Sequence, residues 1–213
     1  CDDDDYWHNP LKLQLQLDYY REHPECNILL TDHRNLNIRT GEETDCNAFI
    51  NRNVDVQKAM WKDSSFCNAT VMYRAAFLKA HLDLDEFIQS HFSLQDWPAF
   101  VVLTAYSNVD ILPVSTATHV TGEVGITRPD TVETLARRFE EDKKVFNYLV
   151  SLFPEKFPYS DSYWERYVNG RLMSKAFDFG KYDLAKRYGK NCNNVKFIKR
   201  VCSQNRLLFE LYA

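Results

Sequence analysis

The sequence of 213 residues predicts an α/β fold, in which a mixed sheet is flanked by helices and followed by an all-helical C-terminal extension. Leucines alternate with polar residues along 11–20, the period of a half-buried strand. The uninterrupted apolar run at 98–106 is typical of a fully buried strand. Apolar residues at spacings of three and four over 132–153 form the stripe of an amphipathic helix.

Three segments with different hydrophobicity patterns follow the first predicted strand. The apolar run 26–32 predicts a second strand. The polar segment 33–45, which contains Gly41, predicts a long loop with a small hairpin of its own. Segment 46–61 places its apolar residues at helical spacing and predicts a helix.

The next elements surround the apolar run at 98–106. Segment 70–78 fits either a strand or a helix, and its β-branched and aromatic start favours a strand. Asp83 predicts the N-cap of a short helix over 83–92. Two β segments follow in 109–126, one of which contains Pro113 and therefore suits a sheet edge.

The last third of the chain has only helical patterns. A capping box, Asp130 with Glu133, opens the helix over 132–153, and Pro154 closes it. Three further helical segments follow at 160–177, 181–189 and 194–211. The sequence therefore predicts an acidic N-terminal tail at 1–10, an α/β domain at 11–153 and a helical extension at 154–213.

The composition is that of a globular protein, with 45% hydrophobic and 26% charged residues. The net charge of −4 comes largely from Asp2 to Asp5, which we interpret as a solvated terminus. Whole-chain charge therefore indicates no surface for nucleic acid or an anionic membrane. No apolar stretch reaches the ~18 residues of a membrane span, and without a Met start or signal-peptide core the chain is expected to be a mature or trimmed product.

The cysteines are even in number and scattered, which favours disulfides and an oxidising compartment, either the extracellular space or the lumen of the endoplasmic reticulum. The six candidates are Cys1, Cys26, Cys46, Cys67, Cys192 and Cys202. We expect Cys192 to pair with Cys202 and Cys46 to pair with Cys26 or Cys67, although six cysteines leave the connectivity open. Asn68 starts an Asn-Ala-Thr sequon and is the candidate glycosylation site.

The order of elements resembles the thioredoxin fold, and in particular the non-catalytic thioredoxin-like domains of the protein disulfide isomerase family. Two segments carry the resemblance, VMYRAAFLKAHLDLDEFIQSHFSLQDWPAFVVL at 71–103 and GEVGITRPDTVETLARRF at 122–139. The resemblance implies that Pro98 is the family's cis-proline. It also implies that the Pro98 loop faces the start of the helix that follows the second strand.

At that helix start the family's catalytic members carry two cysteines, whereas the segment GEETDCNAF has only Cys46. A dithiol that shuttles electrons needs a second sulfur within reach, and residues 43 and 49 are Glu and Phe. Disulfide oxidoreductase activity is therefore not expected. A helix N-terminus would stabilise a Cys46 thiolate, while Glu42, Glu43 and Asp45 oppose it, so a single-thiol enzyme remains the alternative hypothesis.

The leading hypothesis is a redox-inactive thioredoxin-like protein that binds a protein or peptide partner. The resemblance implies that Asp32 and His33 lie across a cleft from Trp97 and Pro98, although a polar loop with an incidental histidine is the favoured explanation of the first pair. A disulfide-stapled structural ectodomain is a third possibility.

Cofactor and metal chemistry is not predicted. With six glycines in the chain, no nucleophile elbow, phosphate-binding loop or dinucleotide fingerprint is present. His119 and Glu123 share one strand face but are too few for a metal site. The oligomeric state is left open.

Overall fold

The computed structural model describes residues 4–46, 66–92, 95–122, 131–156, 160–192 and 195–212. The chain forms two compact units, Cys1–Glu123 and Val124–Ala213. The Pro-marked joint at 153–158 lies within the second unit, so the long helix that precedes this joint belongs with the C-terminal helices.

The first unit contains a five-stranded mixed sheet. Its strands are β1 (Tyr6–Trp7), β2 (Ile28–Asn37), β3 (Glu42–Cys46), β4 (Met72–Tyr73) and β5 (Val109–Thr121). The order is β1-β5-β2-β3, and β4 also pairs with β2. Strands β2 and β5 run parallel, whereas the other three pairings are antiparallel. The expected small hairpin in 33–45 is formed by the end of β2 and β3, with Gly41 at a φ of 71° in the turn.

Strand β5 is a single strand, where the sequence predicts two segments. Strand β5 has 13 residues, whereas its partner β2 has 10. The extra residues of β5 are accommodated at two irregularities in the register near Asp32. Leu112 pairs with Thr31 and Ser115 pairs with Asp32, so Pro113 falls in the first irregularity. Proline cannot donate to a ladder, and an irregularity of this kind removes the need for its missing N–H.

The described residues of the first unit also form four α-helices: α1 (Lys12–Glu22), α2 (Ala75–His81), α3 (Leu84–Gln89) and α4 (Asp96–Thr104). A short 3₁₀ helix spans Asn68–Thr70. The predicted cap of the 83–92 helix is confirmed, since the Asp83 side chain accepts hydrogen bonds from the N–H groups of Asp85 and Glu86. The helix predicted over 46–61 lies outside the described residues, apart from Cys46.

The strand predicted over 11–20 is wrong, because these residues form α1. The buried positions are Lys12, Gln16 and Tyr20, which recur every four residues, while Leu13 and Leu17 are each 46% exposed. Leucine, lysine and glutamine are all good helix formers. The alternating leucines therefore do not mark the buried face, and packing of the polar residues against the sheet decides the conformation.

The cis-proline and the buried strand predicted at 98–106 are also wrong. The peptide bond before Pro98 is trans, and Asp96–Thr104 is helix α4. Pro98 occupies the first turn, where a backbone N–H would have no partner within the helix. Phe100, Val101 and Leu103 are fully buried, and a helix buried on all sides has the same uninterrupted apolar run as a buried strand.

Segment 70–78 contains both a strand and the start of a helix, the two alternatives that its sequence fits. Met72–Tyr73 is the short strand β4, and helix α2 begins at Ala75. The aromatic start therefore favours a strand for two residues only.

The described residues of the second unit form helices and short connections, with no strand among them. Its helices are α5 (Val132–Leu152), α6 (Asp161–Asp178), α7 (Tyr182–Gly189), α8 (Phe197–Gln204) and α9 (Arg206–Tyr212). Thr131 and Thr134 form the capping box of α5, while Asp130 of the predicted box lies outside the described residues. Phe139 and Phe146 pack against Trp164 in the core of this unit.

The α/β class, the mixed sheet with flanking helices and the helical C-terminal region are confirmed. This arrangement is compatible with a thioredoxin-like fold, although the Pro98 strand that the resemblance implies is a helix. None of the helices in the described part of the chain is long and apolar enough to cross a membrane.

Candidate metal centre

Pairing between β1 and β5 brings the N-terminal segment to the sheet. Tyr6 lies opposite Thr118, so Asp5 lies opposite His119, one position further along the register. Opposite residues of an antiparallel pair project to the same face of a sheet. The side chain of Asp5 is consequently directed toward His119, although 114 positions separate them in the sequence.

The carboxylate of Asp5 is held by two strong donors. Nδ1 of His119 lies 3.0 Å from Oδ1 and 3.3 Å from Oδ2 of Asp5, and the backbone N–H of Val120 donates to Oδ1 at 2.9 Å. The Asp5 side chain is 3% exposed, whereas that of His119 is 34% exposed. The carboxylate is thus buried and fixed, while the imidazole remains accessible to solvent.

Cys67 completes a cluster of three metal-binding side chains. Its thiol donates to Oδ2 of Asp5 at 3.6 Å, and the residue is 7% exposed. Cys67 immediately precedes the 3₁₀ helix and packs with Ala69 and Ala117. One donor atom from each of Asp5, Cys67 and His119 lies within 4.8 Å of the other two, and we call these residues the Asp5–Cys67–His119 cluster.

A buried lysine lies beside the cluster. Lys12 is 1% exposed, donates to Oε1 of Gln16 and lies 4.8 Å from the centre of the Trp7 ring. Burial lowers the pKa of Lys12 to about 8, and attraction to Cys67 offsets part of that effect. Gln16 in turn donates to the backbone oxygen of Thr70 at 3.0 Å, which ties α1 to the 3₁₀ helix that carries Cys67 into place.

His33 lies beside His119 on the neighbouring strand. The two imidazole rings meet edge to face, with centres 6.3 Å apart. Burial, and to a smaller extent His119, lowers the pKa of His33 to about 4, and Asp5 opposes this effect. His33 is therefore a neutral imidazole near pH 7, so it places no positive charge next to a metal ion bound by the cluster. Cys46 pairs with His33 across β2 and β3 and is half-buried.

The separations within the cluster match those around a tetrahedral zinc ion. Zinc bonds of about 2.3 Å to sulfur and about 2.0 Å to nitrogen or oxygen place sulfur and oxygen donors about 3.5 Å apart, and nitrogen and oxygen donors about 3.3 Å apart. The observed distances are 3.6 Å from Cys67 Sγ to Asp5 Oδ2 and 3.0 to 3.3 Å from His119 Nδ1 to the Asp5 oxygens. These two pairs of donors therefore fit the spacing of a zinc site, and the third pair, Cys67 and His119, lies within 4.8 Å.

The four residues predicted to line a partner-binding cleft lie in two elements. Asp32 and His33 are buried on β2, and Trp97 and Pro98 are buried in α4. Within the described residues neither carboxylate oxygen of Asp32 has a hydrogen-bond partner, and burial together with Asp45 raises its pKa. Of the four, only His33 neighbours the Asp5–Cys67–His119 cluster. Their role in binding stays a prediction.

Among the predicted disulfide positions, Cys26, Cys46, Cys192 and Cys202 are present as thiols, and Cys1 lies outside the described residues. Burial and Asp110 raise the pKa of Cys26 to about 12, which makes this thiol unreactive. The sequon residue Asn68 starts the 3₁₀ helix, where Thr70 is buried and donates its hydroxyl to the Cys67 carbonyl at 2.7 Å. The disulfide pairing and glycosylation stay predictions.

A separate groove lies at the C-terminal half of α1. It has a volume of about 460 Å³ and is lined by Leu17, Tyr20 and Arg21 of α1 and by residues 72–76 of β4 and the start of α2. Arg74 is fixed there by hydrogen bonds to the carbonyls of Cys26, Tyr20 and His23. The groove contains none of the residues that the sequence predicts for binding.

Sequence reasoning misses two members of the cluster. Asp5 belongs to the tetra-Asp run, which reads as a solvated tail, and Cys67 is one of six scattered cysteines. His119 is considered only with Glu123, which lies outside the described residues. A two-residue strand such as β1 leaves almost no signal in a sequence, and without it nothing connects residue 5 with residue 119.

Comparison of the chain with models of protein families finds no match, and comparison with curated proteins finds none either. The function therefore has to be argued from the described geometry.

Proposed function

We propose that the first unit binds one divalent transition-metal ion of the zinc class through Asp5, Cys67 and His119. The observation that carries this proposal is the convergence of a carboxylate, a thiol and an imidazole within 4.8 Å from three separate segments of the chain. Each of these groups is an established zinc ligand type. Because these residues are more than 50 positions apart in the sequence, the site exists only in the folded protein.

The donor set selects the class of metal. Magnesium and calcium prefer oxygen ligands, whereas sulfur and imidazole nitrogen favour zinc and related ions. Three protein ligands leave a fourth tetrahedral position for water or an added ligand, as in zinc sites that are open. The accessible edge of the cluster is His119, and this is the side from which an ion and its fourth ligand reach the site.

The electrostatics of the cluster also favour a cation. Without metal the Cys67 thiol donates a hydrogen bond to Oδ2 of Asp5. Metal binding exchanges the S–H bond for a sulfur–metal bond, and the proton passes to solvent. The ion then neutralises carboxylate and thiolate together, so affinity rises with pH.

The proposal is tested by measuring metal content and Co²⁺ spectra of the purified chain. We expect one equivalent of Zn²⁺, a sulfur-to-cobalt charge-transfer band with Co²⁺, and release of about one proton per metal bound. Cys67→Ala and His119→Ala are expected to lose the bound metal, with affinity reduced about a hundredfold or more. Cys26→Ala is the matched control, because Cys26 is equally buried in the same unit but lies outside the cluster.

Three results would contradict the proposal. These are a wild-type chain with no stoichiometric metal, a Co²⁺ spectrum without a sulfur band, and equal losses in Cys67→Ala and Cys26→Ala. Circular dichroism of each variant distinguishes loss of a ligand from loss of the fold.

The second candidate function is the one expected from the sequence, binding of a protein or peptide by a redox-inactive thioredoxin-like domain in a secretory or extracellular compartment. The groove of about 460 Å³ favours it, since pockets of 300 to 1,000 Å³ hold side chains or small ligands. Alanine substitution of Leu17, whose side chain lines the groove and is 46% exposed, would weaken partner capture without unfolding the unit. Leu13, equally exposed on the same helix, supplies the control.

The single-thiol alternative at Cys46 is tested with the same protein. It predicts rapid alkylation of Cys46 at pH 6 by iodoacetamide, whereas a structural role predicts slow alkylation or none. We expect slow alkylation, because the acidic neighbours Glu43 and Asp45 on β3 oppose formation of the thiolate.

A further inference from the structure

The last two helices present apolar side chains to solvent. The exposed fractions are 82% for Phe197, 52% for Ile198 and 40% for Val201 on α8, and 71% for Leu207, 70% for Leu211 and 61% for Tyr212 on α9. Single exposed apolar residues are normal, but six within 16 positions form a surface that marks an interaction site. We call these six residues the apolar face.

These residues are not displaced members of the core. Helix α8 directs Cys202 and Ser203 inward, and α9 directs Phe209 inward, where it packs against Phe177 and Tyr182. Both helices therefore already have a buried side. Phe197 and Val201 on α8 and Leu207 and Leu211 on α9 lie on the opposite sides, four residues apart in each helix. Ile198 and Tyr212 flank them, since Ile198 is four positions before Cys202 and Tyr212 is three positions after Phe209.

The C-terminal helices are rich in basic residues. Residues 181–213 contain eight Lys and Arg against two Asp and Glu, a net charge of +6, although the whole chain carries −4. Lys196 and Arg200 are exposed next to Phe197 and Val201. Only part of this charge is neutralised locally, since Lys199 pairs with Asp178 and Arg206 pairs with Glu210.

We infer that the apolar face of α8 and α9 docks on the surface of an anionic lipid bilayer. Phenylalanine, isoleucine, leucine and tyrosine flanked by Lys and Arg are the composition of helices that lie in the membrane interface. The apolar side chains enter the boundary between headgroups and acyl chains, while Lys196 and Arg200 contact anionic headgroups. Neither helix crosses the membrane, in agreement with their lengths of 8 and 7 residues.

Charge complementarity selects this occupant over an acidic protein or a nucleic acid. A polyanion would use the basic residues but would leave six large apolar side chains exposed to water. A neutral apolar protein groove would bury those side chains but would also desolvate the cations beside them. A bilayer interface satisfies both groups at once, because apolar and charged layers lie within a few ångströms of each other. The inference is independent of the proposed metal site, which belongs to the other unit.

The test is co-sedimentation of the full chain with phosphatidylcholine vesicles that contain or lack phosphatidylserine. We expect binding to the anionic vesicles, little binding to the neutral ones, and weaker binding as salt increases. Replacement of Lys196 and Arg200 by glutamine is expected to weaken binding about thirtyfold. Replacement of Phe197 and Leu207 by serine is expected to weaken it about tenfold or more.

Matched control variants come from the first unit. Leu84 and Ile88 are 46% and 64% exposed on α3, so their double replacement by serine removes comparable apolar surface elsewhere. All substituted residues are exposed, and circular dichroism checks that each variant keeps its helical content.

Equal binding to neutral and anionic vesicles, or no binding to either, would overturn the inference. So would an equal loss in the Leu84 and Ile88 control variant. Binding to a polyanion such as heparin without binding to vesicles would identify an acidic macromolecule as the partner and would also refute membrane docking.

Discussion

Replacing the buried Lys12 by methionine tests how the first unit accommodates a charge in its interior. Lys12 is 1% exposed and its ammonium has two neighbours, the Gln16 side-chain oxygen and the Trp7 ring. Methionine has a similar length and no charge, so it fills the same space without the desolvation cost. The same change leaves Gln16 Oε1 without its donor, which costs about 1 to 3 kcal/mol.

The magnitude follows from the pKa of Lys12, which falls from the ordinary 10.5 to about 8 in the folded protein. At about 1.4 kcal/mol per pH unit, this gap corresponds to about 3 kcal/mol of folding free energy. Below pH 8 both states hold the proton and the full cost is present. Between pH 8 and 10.5 only the unfolded state holds it, so the stability contributed by this group rises with pH.

The assay is urea unfolding of the wild type and of Lys12→Met at pH 7 and pH 10, with EDTA present to exclude metal. At pH 7 the variant gains up to about 2 kcal/mol over the wild type, after the loss at Gln16 is subtracted. At pH 10 that advantage shrinks by about 2 kcal/mol, because the wild-type lysine has by then lost its proton in the folded state. A difference that is the same at both pH values would refute the reasoning.

The remaining predictions concern both units. Since the pKa of His33 is lowered to about 4, the unfolded chain binds a proton that the folded protein excludes, and stability falls by up to about 3 kcal/mol between pH 6.5 and 4. His33→Gln removes this acid sensitivity in urea unfolding at the two pH values. A Cβ at Gly189 would lie 2.7 Å from Ser203 Oγ, so Gly189→Ala lowers the melting temperature by overpacking, at a cost of about 1 to 3 kcal/mol. Adding Ser203→Ala to Gly189→Ala is expected to restore part of the lost melting temperature, measured by thermal unfolding with circular dichroism. If the melting temperature does not recover, the contact with Ser203 is not the source of the strain.

Elements fixed by local chemistry are predictable from the sequence. The α5 helix has apolar residues at spacings of three and four over 21 residues, and the α3 helix has an aspartate at its N-cap. Both signals act within a few residues, so no tertiary knowledge is needed. The same is true of the hairpin that β2 and β3 form around Gly41.

The errors at 11–20 and 98–106 have a tertiary origin. In α1 the side chains of Lys12 and Gln16 are buried because Gln16 bonds to the Thr70 carbonyl, a partner 54 residues away. In α4 an uninterrupted apolar run is compatible with either a strand or a helix, and the fully buried surroundings of Phe100 decide between them. Neither outcome is encoded in the periodicity of the segment alone.

The candidate site could not be predicted from the sequence for the same reason, because its residues meet only through tertiary contacts. The sequence predicts a binding role for His33, which stays a prediction, and the neighbour of His33 in the structure, His119, reaches Asp5 only through the two-residue strand β1. The parallel pairing of β2 with β5 places both histidines on adjacent strands, and this pairing depends on three inserted residues around Pro113.

The sequence and the structure lead to competing expectations for one sulfur atom. A disulfide between Cys46 and Cys67, one of the two pairings expected for Cys46, would consume the thiol that now bonds to Asp5, whereas a metal site needs that thiol as a thiolate. The two states respond oppositely to treatment. Reduction destabilises a disulfide-linked unit and EDTA has no effect on it, while EDTA destabilises a metal-bound unit and mild reduction does not. Peptide mapping by mass spectrometry under non-reducing conditions, run beside thermal unfolding with each reagent, assigns Cys67 to one state; a Cys67 cross-link together with insensitivity to EDTA would eliminate the metal centre.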